Sequence, residues 1–354
     1  MKDRRSWATT GRDQRRPHIA TGLTAFLLTL AGCSPGPRWI AVAGDHRLTF
    51  FDGDLRSTGA WRLDITPTAI ESTGDGFGVL IGSGAGAQAG GVAWLRRTDG
   101  ETILQHQLNA PVRGLWSDRE GRRVFALGGG AVGTLRILRA DRLTQSRAIP
   151  VCAEPVSLVF APDGDRAYVT CRPGVVVEVD ANLQIVVRSA WVGPDSGRSC
   201  GAGRGDLSAN GTLLFVPCAT SGRLIYMDRA TLKPWDSMPV GVGAKVMAVT
   251  PGAVAVTLFP DSDRVALVNL RSKRLIALVS ISNPVDVASS AGGRLAFVLA
   301  AERTGAEGAL LQMDTRTGAE LGRVVLRGGG RAVYVWPGRR EPRMYWVSGS
   351  RRGR

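Results

Sequence analysis

This 354-residue sequence is poor in histidine, in lysine and in closely spaced cysteine. Beyond the first 32 residues only His46 and His106 remain. Neither Cys-x-x-Cys nor Cys-x-x-Cys-His occurs, which argues against a thiolate zinc site and excludes covalent haem attachment. Lysine stands only at positions 2, 233, 245 and 273, so the net charge of +15 is almost entirely arginine. Such a bias follows composition, and no nucleic-acid partner is expected from it. After residue 39 no stretch repeats apolar residues at helical spacing; the apolar runs are four to six residues long, bounded by Gly, Pro and Asp. No helix is therefore expected there. A Pro/Ser-rich linker is also missing, which leaves one domain to the end of the chain.

What is present begins with a segment that does not belong to the fold. Residues 1–18 are basic, and Ile19 to Gly32 form an apolar run too short to span a bilayer but suited to a signal-peptide core. It ends in Leu30-Ala31-Gly32-Cys33, which resembles the lipobox of bacterial lipoprotein signal peptides. That resemblance implies removal of residues 1–32, acylation of Cys33 and a stable membrane anchor. Arg15-Arg16 is followed by Pro17-His18, so conventional secretion is expected rather than twin-arginine export. Residues 33–38 then form a short tether. Six Lys/Arg and two Asp/Glu precede Cys33, so the chain from there carries +11, which favours anionic partners.

From residue 39 one pattern recurs: an apolar strand, a glycine turn, a second apolar strand. The turn glycines are Gly76, Gly121, Gly164, Gly211, Gly252, Gly293 and Gly338, spaced 45, 43, 47, 41, 41 and 45 residues apart. Each repeat has room for a third and a fourth strand, as in Val175–Val179 with Ile185–Ala190 and Leu224–Met227 with Pro234–Val240. Four strands in each such repeat predict an all-β fold, a seven-bladed β-propeller of four-stranded antiparallel blades over 39–350. Six or eight blades are the alternatives. The closing blade joins both termini, with Arg47–Phe51 and Gly59–Leu63 as its outer strands. Trp39–Ala43 and Met344–Ser348 compete for one place in it. Residues 351–354 are a basic tail.

The stretch Ala161-Pro162-Asp163-Gly164-Asp165-Arg166-Ala167-Tyr168-Val169-Thr170-Cys171 resembles the repeat of YVTN-type β-propellers, with Cys171 in place of Asn. Val179-Asp180, Met227-Asp228-Arg229-Ala230-Thr231 and Met313-Asp314-Thr315-Arg316-Thr317 are similar to the family's strand-and-turn "VIDxxT". The resemblance implies seven blades and no particular reaction.

Four cysteines remain once Cys33 is set aside. Cys152 and Cys171 flank one inner hairpin, 19 residues apart, and Cys200 and Cys218 flank the next, 18 apart. Antiparallel pairing about the turn predicts disulfides within each hairpin; Cys152–Cys200 with Cys171–Cys218, across neighbouring blades, is the alternative. Metal ligation is not expected.

Other motifs read as structure. His46 sits in a turn, and His106 shares a strand face with Leu104 and Leu108, so no catalytic residue is expected. Asp52-Gly53-Asp54, Asp163-Gly164-Asp165 and Asp261-Ser262-Asp263 lack the remainder of a calcium loop. Arg204-Gly205-Asp206 matches an integrin-type tripeptide by chance. Gly82–Gly91, Gly128–Gly130 and Gly328–Gly330 open no helix and are loops.

Propeller geometry places a ligand at the channel mouth, where loops from every blade converge. The candidates are Arg113, Glu154, Arg204, Asp206, Lys245, Asp286 and Arg331; four are basic, which points to an anionic ligand. The loop from Gly193 to Gly205 is the best recognition loop, and the arginines of 339–354 face either anionic lipid or solvent. The expected protein is a monomeric, extracytoplasmic scaffold for binding or assembly in a bacterial cell envelope, anchored by lipid to the outer or cytoplasmic membrane. It needs no cofactor and is more scaffold than enzyme. The alternative is a propeller enzyme, a lactonase-like hydrolase or one that holds a redox cofactor.

Overall fold

The apolar runs of this chain are too short for a helix and too uniformly apolar to be half-exposed, so each must be a strand covered on both faces. The computed structural model describes residues 40–73, 78–84, 90–96, 99–118, 120–129, 132–193, 199–301 and 307–336. These form 28 strands and one short 3-10 turn, Pro260–Ser262. The strands make seven four-stranded antiparallel sheets, the blades of a β-propeller. Cys33, the tether, Trp39, Gly76, Gly338, Met344–Ser348 and the arginine tail lie outside the described residues.

Counting from the closing blade, the innermost strands are Ala332–Val335, Pro67–Ser72, Val112–Ser117, Pro155–Phe160, Asp206–Leu207, Val246–Val249 and Pro284–Ser289. Blades two to seven are each built from four consecutive strands. Blade four, for example, continues through Arg166–Cys171 and Val175–Asp180 to Ile185–Trp191. Blade one takes its innermost strand from the C-terminal side and the other three, Ile40–Gly44, Arg47–Phe51 and Ser57–Arg62, from the N-terminal side. Its seam is the antiparallel pairing of Ile40 with Val335 through Ala43 with Ala332. The contested place in blade one therefore goes to the N-terminal strand.

Each blade uses the two-residue period of its strands to feed two cores. In blade four Ala167, Val169 and Cys171 pack toward Phe125, Leu127 and Leu135 of blade three. Tyr168 and Val176, on the opposite face, pack toward Leu214, Val216 and Met227 of blade five. The same arrangement recurs at every junction, giving seven apolar clusters in place of one central core. Outer strands face solvent, and there alternation is lost: Ile185–Trp191 and Thr144–Pro150 are mostly exposed.

The turns explain the repeated motifs. Asp180, Asp228 and Asp314 end the third strand of their blades, and each carboxylate accepts backbone N–H groups two or three residues on. Asn269 does the same in blade six. Within the inner hairpins Gly164 and Gly211 adopt φ of +79° and +68°, a region where a side chain is strained. In blade six the left-handed position falls on Ala253, one residue after Gly252.

Both disulfides close inner hairpins. Cys152 joins Cys171 and Cys200 joins Cys218, with Cα separations of 6.3 and 5.0 Å. The pairing across blades is excluded.

Candidate functional site: the central channel

All seven innermost strands line one central cavity of about 1210 Å³. In blades two, three, four and seven that strand carries a bulge at its second residue, which leaves Thr68, Arg113, Val156 and Val285 without a cross-strand partner. All four line the cavity. A bulge turns a side chain out of the ladder, and here it turns toward the channel.

The seven candidates from the sequence, Arg113, Glu154, Arg204, Asp206, Lys245, Asp286 and Arg331, all line this cavity. Their charges, however, are largely spent on one another and on neighbours. Lys245 pairs with Asp261 at 2.7 Å, Arg331 with Asp45 at 2.7 Å, and Glu154 with Arg172 at 3.2 Å. Arg204, which enters blade five, reaches Asp286 of blade seven at 2.5 Å and also donates to the Val287 carbonyl. Arg113 has no such partner among the described residues. Among the described residues the mouth is therefore close to neutral, with Arg113 as its one uncommitted cation.

Two of the acidic candidates work as straps between blades. Asp206 accepts the backbone N–H of Val249 in blade six at 2.8 Å. Asp286 accepts that of Val333 in blade one, also at 2.8 Å. Burial pushes the Asp206 carboxyl up from its ordinary value, against the pull of the Val249 and Leu207 N–H groups. Arg204-Gly205-Asp206 is thus part of the channel wall, with both charged ends engaged, and is not a presented loop. Of the loop from Gly193 to Gly205, residues 199–205 are held down by backbone bonds, including Cys200 N–H to the Pro173 carbonyl and Arg204 N–H to the Lys245 carbonyl. Residues 194–198 lie outside the described residues.

Deeper in the channel stands a group that the sequence reading missed. Glu71 is the fifth residue of the innermost strand of blade two and faces Tyr334 of blade one. Its carboxylate accepts the Ser72 N–H at 2.9 Å and shares a hydrogen bond with the Tyr334 hydroxyl. The Ser72 hydroxyl stands 3.0 Å from the same phenol oxygen. Burial pushes the Glu71 carboxyl up to about 7, only partly offset by those hydrogen bonds. The Tyr334 phenol is raised by its own burial and by the charge of Glu71. Nearby, Trp116 stacks on Phe160 at 5.1 Å and lines the cavity. Ser157 also lines it, is 4% exposed, and its hydroxyl has no hydrogen-bond partner among the described residues.

The remaining sequence candidates stay apart from this site. His46 is an exposed turn residue with φ +49°, its ring 3.4 Å from the Thr66 hydroxyl. His106 is half-buried on the outermost strand of blade two. Among the described residues no three His, Cys, Asp or Glu side chains gather as a metal site.

No family model matches the chain. No curated protein matches it either. Solved structures do. Hydrazine synthase of Kuenenia stuttgartiensis is 15% identical, with a TM-score of 0.64 over 78% of this chain and 94% of that one. A functionally unknown protein from Desulfotomaculum acetoxidans is 11% identical, with a TM-score of 0.68 over 85% and 100%. The dihydro-heme d1 dehydrogenase NirN, in complex with DHE, is 18% identical, with a TM-score of 0.61 over 84% and 75%. At these identities the likeness is one of fold.

Proposed function

We propose that this protein is a lipid-anchored, extracytoplasmic propeller of the YVTN type that serves the bacterial cell envelope as a binding or assembly scaffold. Its ligand is anionic and enters the central channel. The observation that carries this reading is the cavity of about 1210 Å³ lined by Arg113, which has no carboxylate partner among the described residues. Export is supported by two hairpin disulfides, since such bonds persist in oxidising compartments. Anchoring is supported by the resemblance of Leu30 to Cys33 to a lipobox.

One observation favours a second reading, a propeller enzyme. Glu71 is held near neutrality inside the channel, where it can both take and give a proton. NirN, an 18% identical propeller in complex with DHE, makes a cofactor-holding variant of this reading concrete.

The two readings part on the purified protein. Native mass spectrometry, elemental analysis and an absorption spectrum are taken on full-length chain extracted from envelope. A scaffold retains an anionic ligand that is lost in variants with the mouth cations neutralised, and shows no Soret band. A Soret band or stoichiometric metal replaces the scaffold with the enzyme.

A further inference from the structure

The channel wall is not used evenly. On the side of blades five, six, seven and one, polar groups are consumed by the structure itself: Arg204 by Asp286, Asp206 by Val249, Asp286 by Val333, Lys245 by Asp261. On the side of blades two, three and four, Glu154 is paired with Arg172, but one cation is left over among the described residues. Among the described residues Arg113, turned to the channel by its bulge, has no carboxylate partner. A channel-lining cation with no carboxylate partner among the described residues is a point that an oxyanion completes.

Depth along this wall follows from strand register. Thr68 of blade two donates to the Val112 carbonyl of blade three, so the two innermost strands run level at that point. Three residues further in, Glu71 stands on one strand; on the other, Trp116 stands three residues beyond Arg113. At about 3.3 Å per residue, Arg113 and Glu71 are separated by roughly 10 Å of depth. Between them the wall is apolar and ends on the flat Trp116–Phe160 stack. A single positive charge, a flat apolar stretch and a hydrogen-bonding end therefore succeed one another down one side.

We infer that the ligand is a hydroxylated aromatic monocarboxylate held by the wall of blades two to four, its acid group on Arg113, its ring beside Trp116 and its hydroxyl at Glu71. This rests on the channel-binding reading above and narrows it. The paired cations of the ring, Lys245 and Arg331, keep their carboxylates and hold the mouth open without choosing the ligand. The Glu71 carboxyl, held by the Ser72 N–H and the Tyr334 hydroxyl, meets the ligand hydroxyl from the channel wall.

The test uses para-hydroxycinnamate as probe, followed by quenching of tryptophan fluorescence and by calorimetry on the full-length protein. Cinnamate lacks the hydroxyl and para-hydroxycinnamyl alcohol lacks the charge. Saturable binding of para-hydroxycinnamate is expected, about tenfold tighter than either analogue, the margin of one hydrogen bond to a charged group. Arg113→Ala weakens it by about tenfold or more, and Lys245→Ala weakens it far less. Glu71→Gln leaves cinnamate binding in place and brings the two acids within a few-fold of each other. Equal losses in Arg113→Ala and Lys245→Ala overturn the inference. So does preferential binding of citrate that depends on Lys245 and Arg331, an outcome that leaves the channel-binding reading standing. Absence of saturable binding for all of these anions removes both.

Discussion

Arg204 and Asp286 lie two blades apart in the ring, and the guanidinium of the first meets the carboxylate of the second at 2.5 Å across the face of blade six. Asp286 is 6% exposed and also accepts the N–H groups of Val287 and Val333, so one carboxylate gathers blades five, seven and one. Asp286→Ala orphans two backbone donors and a half-buried arginine. It is expected to lower stability by about 2–4 kcal/mol, or roughly 3–6 °C in thermal midpoint. Arg204→Ala should lose about half as much, because that side chain is a third exposed and leaves Asp286 its backbone partners. Differential scanning fluorimetry of the two variants checks the order; equal losses would show that the ion pair dominates over the straps.

Glu71 makes stability depend on pH in the direction opposite to most carboxylates. Its folded value of about 7 lies above the ordinary 4.5. The folded chain therefore holds a proton that the unfolded chain has released, and this contribution is complete below about 4.5 and lost as pH rises through 7. The loss amounts to at most about 3 kcal/mol. Urea midpoints at about pH 5 and pH 8 should differ for the wild type by more than for Glu71→Gln, which keeps one protonation state at both. A wild-type midpoint that changes no more than the variant's would remove Glu71 as the cause.

The two disulfides each close a loop of similar length, 19 and 18 residues apart. By chain entropy each contributes about 3 kcal/mol. Cys152→Ala with Cys171→Ala, and separately Cys200→Ala with Cys218→Ala, should therefore cost comparable amounts, and together about the sum, since the pairs occupy different blades. Peptide mapping without reductant should recover Cys152 with Cys171 and Cys200 with Cys218. A large inequality between the pairs would point to a contribution beyond loop closure.

Acylation of Cys33 is tested by cell fractionation. Cys33→Ala should move the protein from the membrane to the soluble extracytoplasmic fraction with altered electrophoretic mobility, because the two or three acyl chains that provide stable attachment are gone. Unchanged membrane association and mobility would end the lipoprotein reading.

How much of this was legible in the sequence differs between fold and site. Repeat period, turn glycines and the Asp that closes each third strand are local features, and they led to seven blades and both cystines. The position of each mouth candidate on the ring also followed from the repeat, and Arg113 through Arg331 do line one cavity. Their pairing was not legible. Asp45, Asp261 and Arg172, which neutralise Arg331, Lys245 and Glu154, stand in ordinary turns and strand ends. Only the ring brings Asp45 to Arg331, 286 residues away in the chain. Glu71 was hidden for the same reason: its carboxyl is shifted by burial among neighbours that include Tyr334, 262 residues distant from Ser72. The one signal in the chain was its place, fifth in an innermost strand, where Asp206 occupies the corresponding position of blade five.

The seam of blade one also sets a timetable. Ile40–Gly44 leaves the ribosome nearly 300 residues before Ala332–Val335, the strand that covers its inner edge. Until then three finished strands present an open edge, the kind of surface that recruits a stray strand or a protease. Closure joins residues nearly 300 apart in sequence, among the slowest contacts a chain can make. A nascent or shortened chain lacking Ala332–Val335 would keep six blades and an unsealed gap. Chaperone demand should accordingly last until Ala332–Val335 has been made.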